Sequence, residues 1–358
     1  MGCGKSKVQA QEEEVVIDHV DPYEFKFKIA PSSFTEHDTK VLILGTGESG
    51  KSTLIRQMKR FFCGGFSPVE LRDFLKIIRF SVVEDMKMVL NEIDKSGQRI
   101  SREFDYDIQI INDFIIGEDT LTPSLANSMK RIWDDPFFQL FFQDCGSLGI
   151  SENFSSFMEK IVQIAEPEYQ LTDRDVLSAR IRTTGHNCLK FTVENIKTLL
   201  VDVGGQMSER KNWYSLHGIN VLIYVVSLSD FDQVMFEDAN KSRTLDSIDV
   251  FKQIISLEAF FKHPLLLVFN KIDLFEKKFI SEQQKFLQAY PDYKGDLNSI
   301  SEALEHVKSV YIKCIPPERS QMPHLWTETI CTCAMRDEDA KSFVYALAEH
   351  IVDDNSKL

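Results

Sequence analysis

Residues 41–53 read VLILGTGESGKST. Four apolar residues, Val41 to Leu44, run into Gly45, and from Gly45 to Ser52 the pattern is G-x-x-x-x-G-K-S. A buried strand, a tight glycine turn and a helix start, in that order, make a phosphate cradle. Gly45 and Gly50 permit backbone angles that other residues avoid. The N–H groups of the turn then point inward as an anion nest, reinforced by the positive end of the following helix. Lys51 is placed to bring an ammonium to the β- and γ-phosphates, and Ser52 to offer a hydroxyl to Mg2+. Leu54, Met58 and Phe61 stand at helical spacing after the turn, the context the motif requires.

Composition bounds the rest. A chain of 358 residues suits two domains, and an apolar content of 43% is enough for packed cores. The net charge of −14 argues against nucleic acid as a partner, because no basic excess is available to neutralise phosphates. The seven cysteines (Cys3, Cys63, Cys145, Cys188, Cys314, Cys331 and Cys333) are odd in number, scattered and free of C-x-x-C pairs. They suggest reduced cytosolic thiols rather than a zinc site or a disulfide framework. No apolar run approaches the roughly 18 residues of a membrane span, and there is no secretory apolar region, internal repeat or low-complexity tract.

The N-terminus, Met1-Gly2-Cys3-Gly4-Lys5-Ser6, fits the pattern for myristoylation of Gly2, with Cys3 beside it as a palmitoylation site. The pairing matters because one acyl chain anchors only marginally and a second makes residence on a membrane stable. Residues 8–39, interrupted by Pro22 and Pro31, read as a partly extended arm with at most a short helix. Cys63-Gly64-Gly65 reads as a hinge. A long helix then spans 67–97, with Pro68 in its first turn and Leu71, Phe74, Leu75, Ile78, Val82, Met86, Val89 and Ile93 on one face. Shorter helical patterns occupy 106–115, 123–133, 136–143 and 154–165, and no strand is expected between 66 and 171. This is an all-helical insert large enough to be its own domain.

Strand signals return at 188–193 and 197–203 as a hairpin. Residues 220–227 and 264–270 are continuous apolar runs, as in strands covered on both faces, and 326–331 is a weaker strand. Helical patterns at 208–216, 239–261, 281–290 and 340–353 alternate with them. The expected fold is an α/β, doubly wound, mostly parallel six-stranded sheet carrying the helical insert, with its ligand at the carboxyl ends of the strands.

Two further motifs end strands. In Asp202-Val203-Gly204-Gly205-Gln206, the aspartate can reach Mg2+ directly or through water. Gly205 lets its N–H approach a γ-phosphate, and Gln206 can hold a water in line for attack. Alone, D-x-G-G is also compatible with a simple tight turn. In Asn270-Lys271-Ile272-Asp273, an amide and a carboxylate can read a planar base edge. Guanine offers a carboxylate two N–H donors where adenine does not, and a site built for that pairing rejects the base that lacks it. The Lys271 stem can pack on the ring. Thr332-Cys333-Ala334 is a run of small residues whose backbone N–H groups can reach a base oxygen.

These motifs, in this order and with a helical insert after the cradle, resemble the alpha subunits of heterotrimeric G proteins. GTGESGKS, RIRTTG, DVGGQ, NKID and TCA carry the resemblance, which covers the chain from Lys40 to about residue 352. It implies a Ras-like GTPase domain at 40–65 and 173–358, a helical domain at 66–172 and a lipid-anchored arm at 1–39. It implies a Mg2+-dependent switch that binds GTP and GDP, with Glu48, Ser49, Thr53 and Leu177 added to the nucleotide contacts. Arg180, otherwise an unassigned arginine on a linker, falls at the position of the built-in arginine finger. Thr183 falls at the second Mg2+ hydroxyl ligand. The implied mechanism is in-line attack of a water held by Gln206, with Arg180, Lys51 and Mg2+ taking up charge on the transferring phosphoryl. Loss of the γ-phosphate then releases residues 175–185 and 204–213. The implied partners are a βγ dimer, a membrane receptor or other exchange factor, an RGS-type GTPase-activating protein and an effector. The implied location is the cytoplasmic face of the plasma membrane.

The chain departs from the family pattern in several places. Thr46 stands for alanine in the cradle, Met207 for arginine after Gln206, Leu171 for proline, and Glu152-Asn153 for an Asp-Ser pair. The arm lacks the long proline-free helix that meets βγ, and 352–358 lacks the usual cysteine and apolar ending. A second reading is therefore a GTP-bound adaptor of the same fold without hydrolysis. Gln206, Arg180 and Thr183 together favour the hydrolysing switch. An ATPase or kinase reading conflicts with Asn270 and Asp273.

Overall fold

The computed structural model describes residues 27–29, 38–143, 150–181, 183, 185–216, 218–235, 238, 241–322 and 325–355. Gly2 and Cys3, most of the arm and residues 356–358 lie outside them. The strands are β1 (Phe27–Ile29), β2 (Thr39–Leu44), β3 (His186–Val193), β4 (Ile196–Val203), β5 (Val221–Ser227), β6 (Leu265–Asn270) and β7 (Thr327–Thr332). They form one sheet in the order β1-β3-β4-β2-β5-β6-β7. From β4 to β7 every pairing is parallel, while β3 runs antiparallel to β4 and β1 antiparallel to β3. The six expected strands are all present, and the arm adds a short seventh at the edge.

β5 and β6 are buried at every position, which is why their sequences run apolar without alternation. On β2 the side chains still divide: Leu42 and Leu44 enter one core and Val41 and Ile43 the other. The first core is closed by α9 (Arg243–Ile255), α10 (Glu258–Phe261), α11 (Ile272–Ser281), α12 (Gln283–Ala289) and α13 (Ile300–Ile312), through Phe251, Phe260, Phe275, Phe286 and Tyr311. The second is closed by α1 (Lys51–Phe62), through Leu54 and Met58, and by α14 (Asp337–Asn355), through Phe343, Val344 and Leu347.

The chain leaves the sheet after α1 through Gly64 and Gly65, with φ of 76° and 77°. The insert begins with α2 (Pro68–Lys95), whose start is fixed by a capping box between Ser67 and Glu70 and by Pro68. Then come α3 (Asp105–Asp113), α4 (Pro123–Trp133), α5 (Pro136–Gln143), α6 (Phe154–Met158) and α7 (Ile161–Ala165). Ile78, Val82, Met86, Trp133, Phe138 and Phe154 share the core of the insert, into which Ala179 of the returning chain is also buried. The chain returns through α8 (Asp173–Ser178), capped by Thr172 and Asp175.

Three helical patterns resolve differently from the expectation. The pattern at 154–165 is broken into α6 and α7, that at 208–216 is a 3-10 turn at Arg210–Ser215, and that at 239–261 divides into α9 and α10. α8, α11 and α13 were not expected, and α11 starts after Lys271 without a side-chain cap. The caps of α8 and α13, Thr172 with Asp175 and Ser299 with Glu302, were readable signals. Among the described residues, no helix is long and apolar enough to cross a membrane, and Cys63, Cys188, Cys314, Cys331 and Cys333 are free thiols.

Candidate functional site

The carboxyl ends of β2, β4 and β6 and the near side of the insert line a half-open cleft. The loop after β2 bends tightly at Gly50, with φ of 99°, and a Cβ there would collide with the Asn270 amide. α1 starts at the next residue. Lys51 is buried, and its ammonium donates to the carbonyls of Gly45 (2.8 Å) and Thr46 (2.9 Å). Burial lowers its pKa to about 8, against the pull of Asp202, and Arg210 adds to the lowering. A cation so placed is short of negative charge, and a phosphate supplies it.

At the second residue of α1, the Ser52 hydroxyl donates to Asp202 Oδ2 (2.9 Å) and lies 3.0 Å from the Thr183 hydroxyl. Thr183 also reaches Asp202 Oδ2, at 3.3 Å. Asp202 Oδ1 is buried with no partner. Burial raises the Asp202 carboxyl above its ordinary range, with Lys51 and the two hydroxyls opposing. Two hydroxyls and a carboxylate with a spare buried oxygen are the donor set of a small hard cation, so these residues fit Mg2+.

Gln206 lies over the cradle, close enough that a Cβ on Gly47 would meet its amide. Gly205 is as tightly placed: a Cβ there would strike the Gly45 carbonyl and the Lys51 ammonium. Arg180 is ion-paired with Glu48. Glu48 also binds Arg243 (2.9 Å), which in turn holds the Gly47 carbonyl (2.9 Å) and Asp230 (3.1 Å). Burial alone would raise the Glu48 carboxyl, yet the charges of Arg243, Arg180 and Lys271 bring it below its ordinary value.

At the other end, Asn270 is buried and laces two loops together. Its Nδ2 donates to the Ser49 carbonyl (2.9 Å) and its Oδ1 accepts from the Ala334 N–H (3.0 Å). Lys271, with φ of 64°, reaches across to both oxygens of Glu152 in the insert, at 2.9 and 2.8 Å. Asp273 faces the Cys333 thiol, whose pKa is pushed up to about 11 by burial first and then by that carboxylate. The Thr332 hydroxyl is buried without a partner.

Of the residues singled out in the sequence, Glu48, Gly50, Lys51, Ser52, Thr53, Leu177, Arg180, Thr183, Gly205, Gln206 and Lys271 line the cleft. Gly45, Ser49, Asp202 and Asn270 stand behind its wall through the contacts above, while Asp273, Thr332, Cys333 and Ala334 form the far end. Ser151, Ser178 and Arg56 also line it without having been singled out. For Arg56 the signal was its place one turn after Ser52.

The family model described as G-protein alpha subunit matches residues 24–351. The chain belongs to that family. It is similar to the guanine nucleotide-binding protein alpha-1 subunit of Neurospora crassa, 30% identical over 331 residues covering 90% of each chain. It is also similar to the G-protein complex alpha subunit gpaA of Aspergillus fumigatus, 29% identical over 367 residues, covering 100% of this chain and 99% of the relative. As a G-protein alpha subunit it is a GTP-binding switch in receptor-coupled signalling and an intrinsic GTPase.

In this alpha subunit the segment after Gln206 is docked on α9. Arg210 forms a two-pronged pair with Asp246 (3.0 and 2.5 Å) and holds the Gly205 carbonyl (3.2 Å), and the Trp213 indole donates to the Gly204 carbonyl (2.9 Å). Met207, the departure noted in the sequence, is exposed.

Behind the insert's side of the cleft, Asp85 of α2 is buried and accepts from the Ser151 N–H (3.3 Å). Burial raises its pKa to about 7. Arg180 and the Ser151 bond oppose the rise, and Glu84 and Glu48 add to it. In acid the group is protonated whether the chain is folded or not. As pH climbs toward 7 the unfolded chain ionises it first, so stability falls, by on the order of 2–4 kcal/mol in full. Asp85→Asn should therefore raise the thermal midpoint over wild type at about pH 8, with the gain shrinking toward about pH 5. Midpoints differing by the same amount at both pH values, at fixed nucleotide concentration, would exclude this account.

Proposed function

We propose that the alpha subunit hydrolyses GTP in this cleft with its own residues in the following roles. The observation that supports the reading best is the convergence of Ser52, Thr183 and Asp202 beside the buried Lys51 ammonium. Lys51 and the cradle N–H groups hold the β- and γ-phosphates. Ser52, Thr183 and Asp202 are the residues that would hold Mg2+, which when bound neutralises charge on the phosphate oxygens. Gln206, lying over Gly47, orients the attacking water. Arg180 rests on Glu48 beside the cradle and exchanges that carboxylate for the transferring phosphoryl group, where its charge is worth most. Gly205 donates its N–H to the γ-phosphate, so loss of that group frees the segment that Arg210 otherwise docks.

The guanine base lies toward Asp273, whose carboxylate accepts its N1–H and 2-amino donors, with Lys271 along the ring and Cys333 and Ala334 at its oxygen. Asn270 supports this end by tying the Ser49 and Ala334 loops together. Residues 40–65 and 173–358 act as the GTPase domain and 66–172 as the inserted lid. Gly2 and Cys3 are acylated and hold the protein at the cytoplasmic face of the plasma membrane. βγ dimers and receptors are partners of the family. For this chain an RGS-type activator and an effector at the docked segment after Gln206 complete the cycle.

Gln206→Leu should slow single-turnover GTP hydrolysis on the order of a hundredfold with GTP affinity little changed. A wild-type rate would remove Gln206 from the mechanism. Asp273→Asn should move preference from GTP toward XTP, whose 2-oxo group suits an amide donor. Retained GTP selectivity in a competition assay would refute the base-reading role. Gly2→Ala should shift the protein from membrane to supernatant on cell fractionation, and persistent membrane residence would discredit the anchor.

A further inference from the structure

Arg56 is buried on α1, one turn beyond Ser52. Its Nη1 donates toward three backbone carbonyls, those of Val176 (3.1 Å), Leu177 (3.3 Å) and Ala179 (2.7 Å). These belong to the C-terminal end of α8, where a helix leaves its carbonyls without internal partners and carries partial negative charge. A guanidinium answers both needs at once. The same group sits 5.3 Å from the ring centre of Phe74 on α2. Arg56 thus touches three parts of the fold: the cradle helix that carries it, the start of the insert, and the segment by which the chain returns.

The shortest of the three bonds falls on the Ala179 carbonyl, which shares one rigid peptide plane with the N–H of Arg180. Fixing that oxygen fixes the plane from which Arg180 leaves the backbone. The other end of α8 is also tied to α1, because Arg60 donates to Asp173 at 2.6 Å. That pair is on the surface, with Asp173 60% exposed, so solvent screens it. The buried Arg56 is the stiffer tie. It stands on the helix that begins with Lys51 and Ser52, so the origin of Arg180 is referenced to the phosphate cradle itself.

We propose that Arg56 is a positioning residue for GTP hydrolysis: by holding the Ala179 carbonyl it registers Arg180 against the cradle. This rests on the reading of Arg180 as the charge-bearing group at the γ-phosphate. Arg56 itself touches no reacting atom, so its contribution passes through Arg180 and vanishes when Arg180 is gone. Misplacement of a reacting group by about 1 Å is enough to cost on the order of a hundredfold in rate.

The test is a double-mutant cycle read by single-turnover hydrolysis and by GTP affinity in the full-length protein. Arg56→Met keeps the apolar stem and removes every donor. It should slow hydrolysis roughly ten- to a hundredfold while changing GTP affinity less than about threefold. Arg56→Lys, which keeps one cationic donor, should recover most of the rate. In an Arg180→Met background, Arg56→Met should change the residual rate by less than about twofold. A defect that multiplies in full onto Arg180→Met would make Arg56 a support of the fold at large and overturn the proposal. So would an unchanged rate in Arg56→Met alone. If Arg56→Met fails to bind GTP, Arg56→Gln, which keeps an amide donor, is read by the same cycle. If Arg180→Met hydrolyses like wild type, the reading of Arg180 falls, and the role of Arg56 falls with it. That result is separate from a multiplying defect, which leaves Arg180 in place and removes Arg56 alone.

Discussion

An ammonium buried against two carbonyls is the constraint on which the rest of the cleft depends. Lys51 sits at the first residue of α1 with Gly45 and Thr46 oxygens as its partners. Burial makes the charge costly, and the nearby Asp202 carboxylate opposes its loss. Everything around this group is arranged for close approach. Gly205 has no room for a side chain because the ammonium and the Gly45 carbonyl occupy it, and Gly50 none because Asn270 does. The loop cannot relax away from Lys51, since Asn270 and Arg243 tie it at Ser49 and Gly47 to elements on either side. The anion that best satisfies such a nest carries several charges on oxygens a few ångströms apart, which describes a polyphosphate.

The two halves of the molecule are joined differently from the way each is held together. The insert has its own apolar core, and so do both faces of the sheet. Across the cleft the ties include Lys271 to Glu152, Asn153 to the Ser178 carbonyl at 3.0 Å and the Arg56 guanidinium over Phe74, with Ala179 buried in the insert's core. Apolar burial stabilises in proportion to area, whereas a handful of polar contacts at a wet edge contributes little each. A ligand that touched both halves would therefore add to the few ties that join them.

Much of this was legible in the sequence. The unbroken apolar runs of β5 and β6, the hairpin at Glu194 and Asn195, and Pro68 at the head of α2 each follow from local chemistry. The break between α6 and α7 did not, because both halves of 154–165 keep a helical apolar pattern and only the turn at Glu159 and Lys160 separates them. The site was legible where its residues are neighbours in the chain. The grouping of Ser52 with Thr183 and Asp202 spans 131 and 150 residues, and no spacing rule reaches that far. Arg180 was assigned through resemblance alone, since a linker arginine has no local signature. Asn270 was read for a base edge, and its lacing of two loops depends on contacts 221 and 64 residues away.

Met207 shows how a departure in sequence is absorbed by structure. An exposed thioether after Gln206 offers no charge with which to hold the segment down. The holding falls to Arg210, three residues on, whose guanidinium meets Asp246 in a geometry that a point charge could not reproduce. Asp246 is itself bound by Lys241 at 2.7 Å, and its carboxyl stays below its ordinary value although burial acts to raise it. Arg210 also holds the carbonyl of Gly205, a residue that packs against the Gly45 carbonyl and the Lys51 ammonium. A contact on the cradle side of Gly205 and a contact at its carbonyl are two ends of one short segment. A displacement at the first is passed to the second, and through Asp246 to α9.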